Sequence, residues 1–247
     1  MTGGWKLRLG PVSLKFQNSP DQDGWIRVKG WRGFTLIELI VVMAVIAILA
    51  AVLLPALSSA KSRAWTARCQ SNLRQIGFGL RLYGDDNGGH YPESGDIIYW
   101  NQTDPDTLQA SWLQQISPYL QNTNLFRCPA NARLPVARQS NFNYFNGVRA
   151  AFVAAGYQQA AVNSERILYP YAYVLSGDTL DFGPLDADKD DYIYNCVGGM
   201  ANGTPWLAWR AHTKGQNVAF DDGHVKWYNR YNTNEMTFRY DSLHGWD

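Results

Sequence analysis

The sequence predicts an α+β chain: a long N-terminal α-helix, transmembrane over its first half, packed on a small antiparallel β-sheet head. Three observations predict it. Residues 39–57 contain no charged side chain. An apolar stripe at helical spacing then continues to Tyr83. Beyond it lie short apolar and aromatic runs separated by turn residues, the pattern of strands gathered after a helix.

Composition removes several function classes first. With 22 Lys+Arg against 21 Asp+Glu, the net charge is +1, without the basic excess of a nucleic-acid binder. A 46% hydrophobic content with 10 Trp and 14 Tyr is too apolar and aromatic for a disordered chain. A mean hydropathy below zero excludes a polytopic membrane protein.

The charge is unevenly placed. Residues 1–33 hold Lys6, Arg8, Lys15, Arg27, Lys29 and Arg32 against Asp21 and Asp23, a net of +4, so the remainder is at −3. The uncharged run that follows would span roughly 28 Å as a helix, close to the ~30 Å hydrocarbon core. A basic head before such a run orients an anchor with its N-terminal end in the cytoplasm. A buried core helix would be shorter. A secretory signal released near Ala60 would have an h-region of about 7–15 residues and no acid inside it. Glu38 is that acid. An ionisable group in a membrane segment costs on the order of 3 kcal/mol and needs a partner. Cleavage between Gly33 and Phe34 would supply one, an α-amino group within one helical turn or on a neighbouring subunit.

The segment Arg32-Gly33-Phe34-Thr35-Leu36-Ile37-Glu38-Leu39 closely resembles the processing site of type IV prepilins and type II secretion pseudopilins. The resemblance implies that a prepilin peptidase cuts after Gly33 and that the new terminus, Phe34, is methylated. It implies that Glu38 pairs with a neighbour's N-terminal amine during assembly, and that Pro55 kinks the helix. It also implies the surroundings: a bacterial inner-membrane subunit with its C-terminal domain in the periplasm, other pilin or pseudopilin subunits as partners, and inner-membrane assembly machinery. The expected function is a pseudopilin-like structural subunit for protein export. The alternatives are a minor type IV pilin for adhesion or motility, or a secreted glycan-binding module with Trp206, Trp209, Trp227 and Trp246 as its face. The leader of residues 1–33 is long for this family. Val28-Lys29-Gly30-Trp31-Arg32-Gly33 would be a typical short leader if Val28 were the initiating residue.

The elements follow in order. Residues 34–57 form the membrane or filament-core helix, and residues 58–89 its amphipathic continuation. In the latter, Trp65, Cys69, Leu73, Ile76, Leu80 and Tyr83 make one stripe, and Gly84 through Gly89 stop the helix. At 1.5 Å per residue a rod over residues 34–83 would reach roughly 75 Å. Residues 90–247 form the head. A short helix is expected at 111–116, another at 150–162, and strands at 97–100, 142–145, 167–175, 192–197, 217–220 and 224–228. The last two make a hairpin around Asp222-Gly223, a dipeptide suited to positive φ.

With His212 upstream, this hairpin (212–228) reproduces an H-x9-D-G pattern. It resembles a C-terminal signature of one large group of pseudopilin-like proteins. Cys69-Gln-Ser-Asn-Leu-Arg-Gln-Ile-Gly77 and Leu125-Phe-Arg-Cys-Pro129 resemble the same group. The expected role of His212, Asp222 and Gly223 is structural, in a turn and its caps.

No nucleophile–base pair or metal-ligand spacing stands out, so no enzyme activity and no cofactor are expected. Asp186, Asp188 and Asp190 match the first three ligand positions of a calcium-binding EF-hand loop. Asp191 then stands where that loop has Gly, and Val197 where it has Glu. A solvated acidic loop and a calcium site both remain open. Of the three cysteines, Cys128 and Cys196 lie in the exported domain and can bridge there, while Cys69 on the stripe is expected as a buried thiol.

Overall fold

The computed structural model describes residues 34–93, 98–103, 108–133, 141–147, 162–179, 187, 212, 215–229, 232 and 234–243. The leader with Gly33, the acidic residues Asp186, Asp188 and Asp190, Cys196, and Trp206, Trp209 and Trp246 lie outside them. So do the expected helix at 150–162, save its last residue, and the strand at 192–197. The chain divides into two compact units, Met1–Val52 and Leu53–Asp247.

Helix α1 runs Leu36–Asp86, 51 residues, and passes through Pro55 without ending. Pro55 has no N–H, so the Ala51 carbonyl loses its helical donor. The helix start is built by a capping box. Thr35 Oγ1 accepts from the Glu38 N–H at 3.3 Å, and the Thr35 N–H donates to Glu38 Oε2 at 2.8 Å. The end is a Schellman turn. Gly88 and Gly89 have φ of 64° and 83°, and the Gly89 N–H reaches back to the Gly84 carbonyl at 2.8 Å. In the first unit every described residue is solvent-exposed.

The second unit is an α+β domain. A four-stranded antiparallel sheet has the order β1 (Tyr144–Asn146), β2 (Val174–Asp178), β3 (Gln216–Phe220) and β4 (Val225–Tyr228). Phe145 pairs with Gly177, Gly177 with Val218, and Val218 with Lys226. Side chains alternate between the two faces. On one face Tyr144, Leu175 and Ala219 pack with Leu73, Ile76 and Leu80 of α1. Trp112, Leu113 and Ile116 of the short helix α2 (Trp112–Ile116) complete that cluster. On the other, Phe145, Val174, Val218 and Phe220 are covered by Met236 and Phe238 of the C-terminal segment. That segment is tied on by the Val174 N–H to the Thr237 carbonyl at 2.9 Å and the Thr237 N–H to the Ala172 carbonyl at 2.8 Å.

Three strand expectations shift, and the one at 142–145 becomes Tyr144–Asn146. The run at 167–175 becomes a strand only at Val174, because residues 169–172 turn, with the Tyr173 N–H on the Tyr169 carbonyl at 2.9 Å. Residues 98–100 form no named strand. Residues 221–223 form the tip of the hairpin between β3 and β4, closed by the Phe220 N–H on the His224 carbonyl at 3.0 Å. The Gly223 N–H meets the Phe220 carbonyl at 2.9 Å, and Gly223 sits at φ 91°. This is a type I turn closed by a left-handed residue.

Candidate functional site

Two sites emerge, one in each unit. The first begins at Phe34. Its surroundings are an unbroken apolar surface: Phe34, Ile37, Ile40, Met43, Ile46 and Leu49 are each more than half exposed. A contiguous apolar surface of this size is not stable in water and requires lipid or other helices. Helix α1 is long and apolar enough to cross a membrane. Within this surface Glu38 is the single acidic side chain of the helix's first turn. The capping box meets its carboxylate with the Thr35 N–H and hydroxyl, the latter donating at 2.7 Å. The Thr35-x-x-Glu38 spacing that makes this cap is legible in the sequence.

The second site is buried under the sheet, around His212. The turn role expected for the H-x9-D-G pattern divides. Asp222 and Gly223 do shape the turn: Asp222 Oδ1 accepts from the His224 N–H at 3.0 Å and from its ring Nδ1 at 2.5 Å. The His224 ring stacks on Phe220 with centroids 4.2 Å apart. His212 is ten residues away and does something else. It pairs with Gly215 through two backbone hydrogen bonds of 3.1 Å, and its ring enters the interior at 2% exposure. There Nε2 lies 2.9 Å from Asp178 Oδ2 and 3.7 Å from Cys128 Sγ. Gly215 has to be glycine, since a Cβ would collide with the Tyr228 carbonyl and the Trp227 ring.

The cysteine pairing is a correction. Cys128 is bonded to Cys69, not to Cys196, and Cys69 is not a free thiol. The two Cα atoms are 5.7 Å apart, inside the range a disulfide spans. The physical reason is placement. The stripe of α1 turns Cys69 into the head, and the Cys128 N–H is held by Asn143 Oδ1 at 3.0 Å. Both cysteines are fully buried beside Ala130, with Trp65 packed against them. A signal was present in the sequence: both lie in stretches that resemble the same protein group, and Cys196 does not.

Asp178, absent from the sequence expectations, is the centre of the buried polar network. Its Oδ1 accepts from the Asn217 N–H at 2.8 Å, and its Oδ2 from the Asn217 side-chain amide at 2.6 Å. A second buried acid, Asp221, follows β3. Burial raises its pKa, against the opposing pull of a hydrogen bond from the Tyr91 hydroxyl and the charge of Arg81. The Tyr91 hydroxyl is itself pushed up, by burial first and by Asp221 second.

Residues 32–54 match the family model described as the prokaryotic N-terminal methylation motif. Comparisons with curated proteins and with solved structures give no match. A methylation motif opening a helix long and apolar enough to cross a membrane supports a type IV pilin-like chain, processed as a prepilin and assembled with other pilin subunits.

Proposed function

We propose that this chain is a pseudopilin-like structural subunit of a type II secretion-type filament. In this reading a prepilin peptidase cuts after Gly33, the amine of Phe34 is methylated, and the subunit waits in the inner membrane with its head in the periplasm. The basic residues before the apolar run favour that orientation. Assembly transfers the apolar helix from lipid into a bundle of like helices. Glu38 leaves its intrachain cap and takes the cationic amine of a neighbouring Phe34, which fixes register. The role is mechanical, with no chemical step and no resident cofactor. The observation that supports it most is the methylation motif at residues 32–54, which includes the start of a helix whose apolar side chains from Leu36 to Leu57 are all exposed.

Mass analysis of the mature N-terminus tests it. A terminus at methylated Phe34 is the expected result. A terminus at Lys61 would mean secretion by signal cleavage and would overturn the reading.

A further inference from the structure

Four potential metal ligands meet in the head: Cys69 of α1, Cys128 ahead of β1, Asp178 at the end of β2, and His212 ahead of β3. Their ligating atoms all lie within 4.8 Å of one another, and all four residues are buried. A disulfide between the cysteines accounts for two of them. It leaves a buried carboxylate and imidazole, 2.9 Å from each other, facing the same sulfurs.

The Thr66 hydroxyl lies 3.1 Å from the Ser62 carbonyl and 3.2 Å from His212 Nδ1. The other ring nitrogen, Nε2, faces Asp178 Oδ2 at 2.9 Å and Cys128 Sγ at 3.7 Å. Thr66 on the far ring nitrogen and Asn217 on the carboxylate are the kind of outer partners that orient metal ligands. Asn217 also joins the two, its amide reaching the Thr66 carbonyl at 3.5 Å.

We propose that, with Cys69 and Cys128 reduced, these four side chains form a closed structural site for one zinc-class divalent cation. Two thiolates, an imidazole nitrogen and a carboxylate oxygen are a fitting donor set for a tetrahedral, borderline-soft ion. Ligand atoms about 2.0–2.3 Å from such an ion stand roughly 3.3–3.8 Å apart, so the two sulfurs part on reduction and the remaining spacings, none above 4.8 Å, close around the ion. Binding releases the two thiol protons. Four protein ligands leave no open position for water or substrate, so the site would staple the helix, the loop before β1 and the sheet together. The disulfide is the exclusive alternative, because its S–S bond uses both thiolates. The same pocket thus closes the head by either route.

The test uses the full chain in detergent micelles. A water-soluble phosphine reduces the disulfide, taking oxygen from water and leaving two thiols, and cobalt(II) is then titrated. Thiolate-to-cobalt charge-transfer bands with tetrahedral d–d bands, saturating at one cobalt per chain and displaced by zinc, are expected. The oxidised chain should show none. Asp178→Asn and His212→Gln should each weaken binding by about tenfold or more, as even outer-shell losses do. Cys196→Ser should leave it unchanged. No bands from the reduced chain would overturn the proposal, as would bands indifferent to both substitutions. If the reduced chain loses its protease resistance, added zinc must restore it, and failure to do so also overturns the proposal. Zinc K-edge absorption of the reduced wild-type chain reads the ligands with no variant at all. Two sulfurs and two nitrogen or oxygen ligands are required, and any other set defeats the site.

Discussion

The segment before Leu53 and the head after it solve opposite problems with the same residue types. From Phe34 onward leucine, isoleucine and valine face outward, and the one carboxylate is held by the chain's own first turn. In the head those residues are enclosed on both faces of a sheet, and the carboxylates of Asp178 and Asp221 are buried with dedicated donors. An apolar surface left uncovered is a demand for an outside solvent or partner. A polar group drawn inside is a demand for an exact internal partner. Processing and assembly are therefore expected to respond to the first segment, and folding to the second.

Substitutions can break that division. Gly33→Ala has the largest expected effect, loss of the processed form as judged by gel mobility; normal processing would refute it. Glu38→Val is expected to leave processing intact and to reduce recovery of assembled filaments after shearing. Leu73→Ala, inside the head, should cost about 2–5 kcal/mol in denaturant unfolding. Leu49→Ala should change the head's stability by less than about 0.5 kcal/mol. Equal effects from these two would erase the contrast. Gly223→Ala should cost roughly 1–2 kcal/mol, the penalty of a Cβ in left-handed backbone. The new Cβ would meet only the Arg81 guanidinium, no closer than 3.7 Å, so φ rather than crowding sets that cost, and Gly223→Asn should lose less.

The smallest effect is on pH dependence. Burial raises the Asp221 carboxyl above its ordinary range, so between the unfolded and folded values the folded state binds more protons. Stability is then full below the unfolded value and falls as pH rises through the folded one. Asp221→Asn should flatten that slope in thermal melts across the acid side of neutrality. An unchanged slope would show that Asp221 ionises as it does in the unfolded chain.

How much was legible follows the same division. The helix was readable to within a few residues, because an uncharged run, a stripe at spacings of three and four, and a glycine-rich stop are all local signals. The final hairpin was readable for the same reason, since Asp222-Gly223 punctuates two alternating runs. The strand at Val174 was misplaced because a tight turn at residues 169–172 consumes apolar residues that look like strand. The capping box at Thr35-x-x-Glu38 is equally local, a spacing present in the sequence itself.

The buried site is not legible as a site: Cys69, Cys128 and His212 stand in recognisable stretches of the sequence, and Asp178 stands in none. The sequence by itself determined the processing segment, the anchor and the stripe that binds the helix to the sheet, because periodicity and charge act over a few turns of chain. Only the tertiary structure decided that Cys69 meets Cys128 across 59 residues, and that Asp178 and His212 close around them. Such neighbours are selected by packing of the whole head, in which a buried charge survives only where distant segments deliver its partners together.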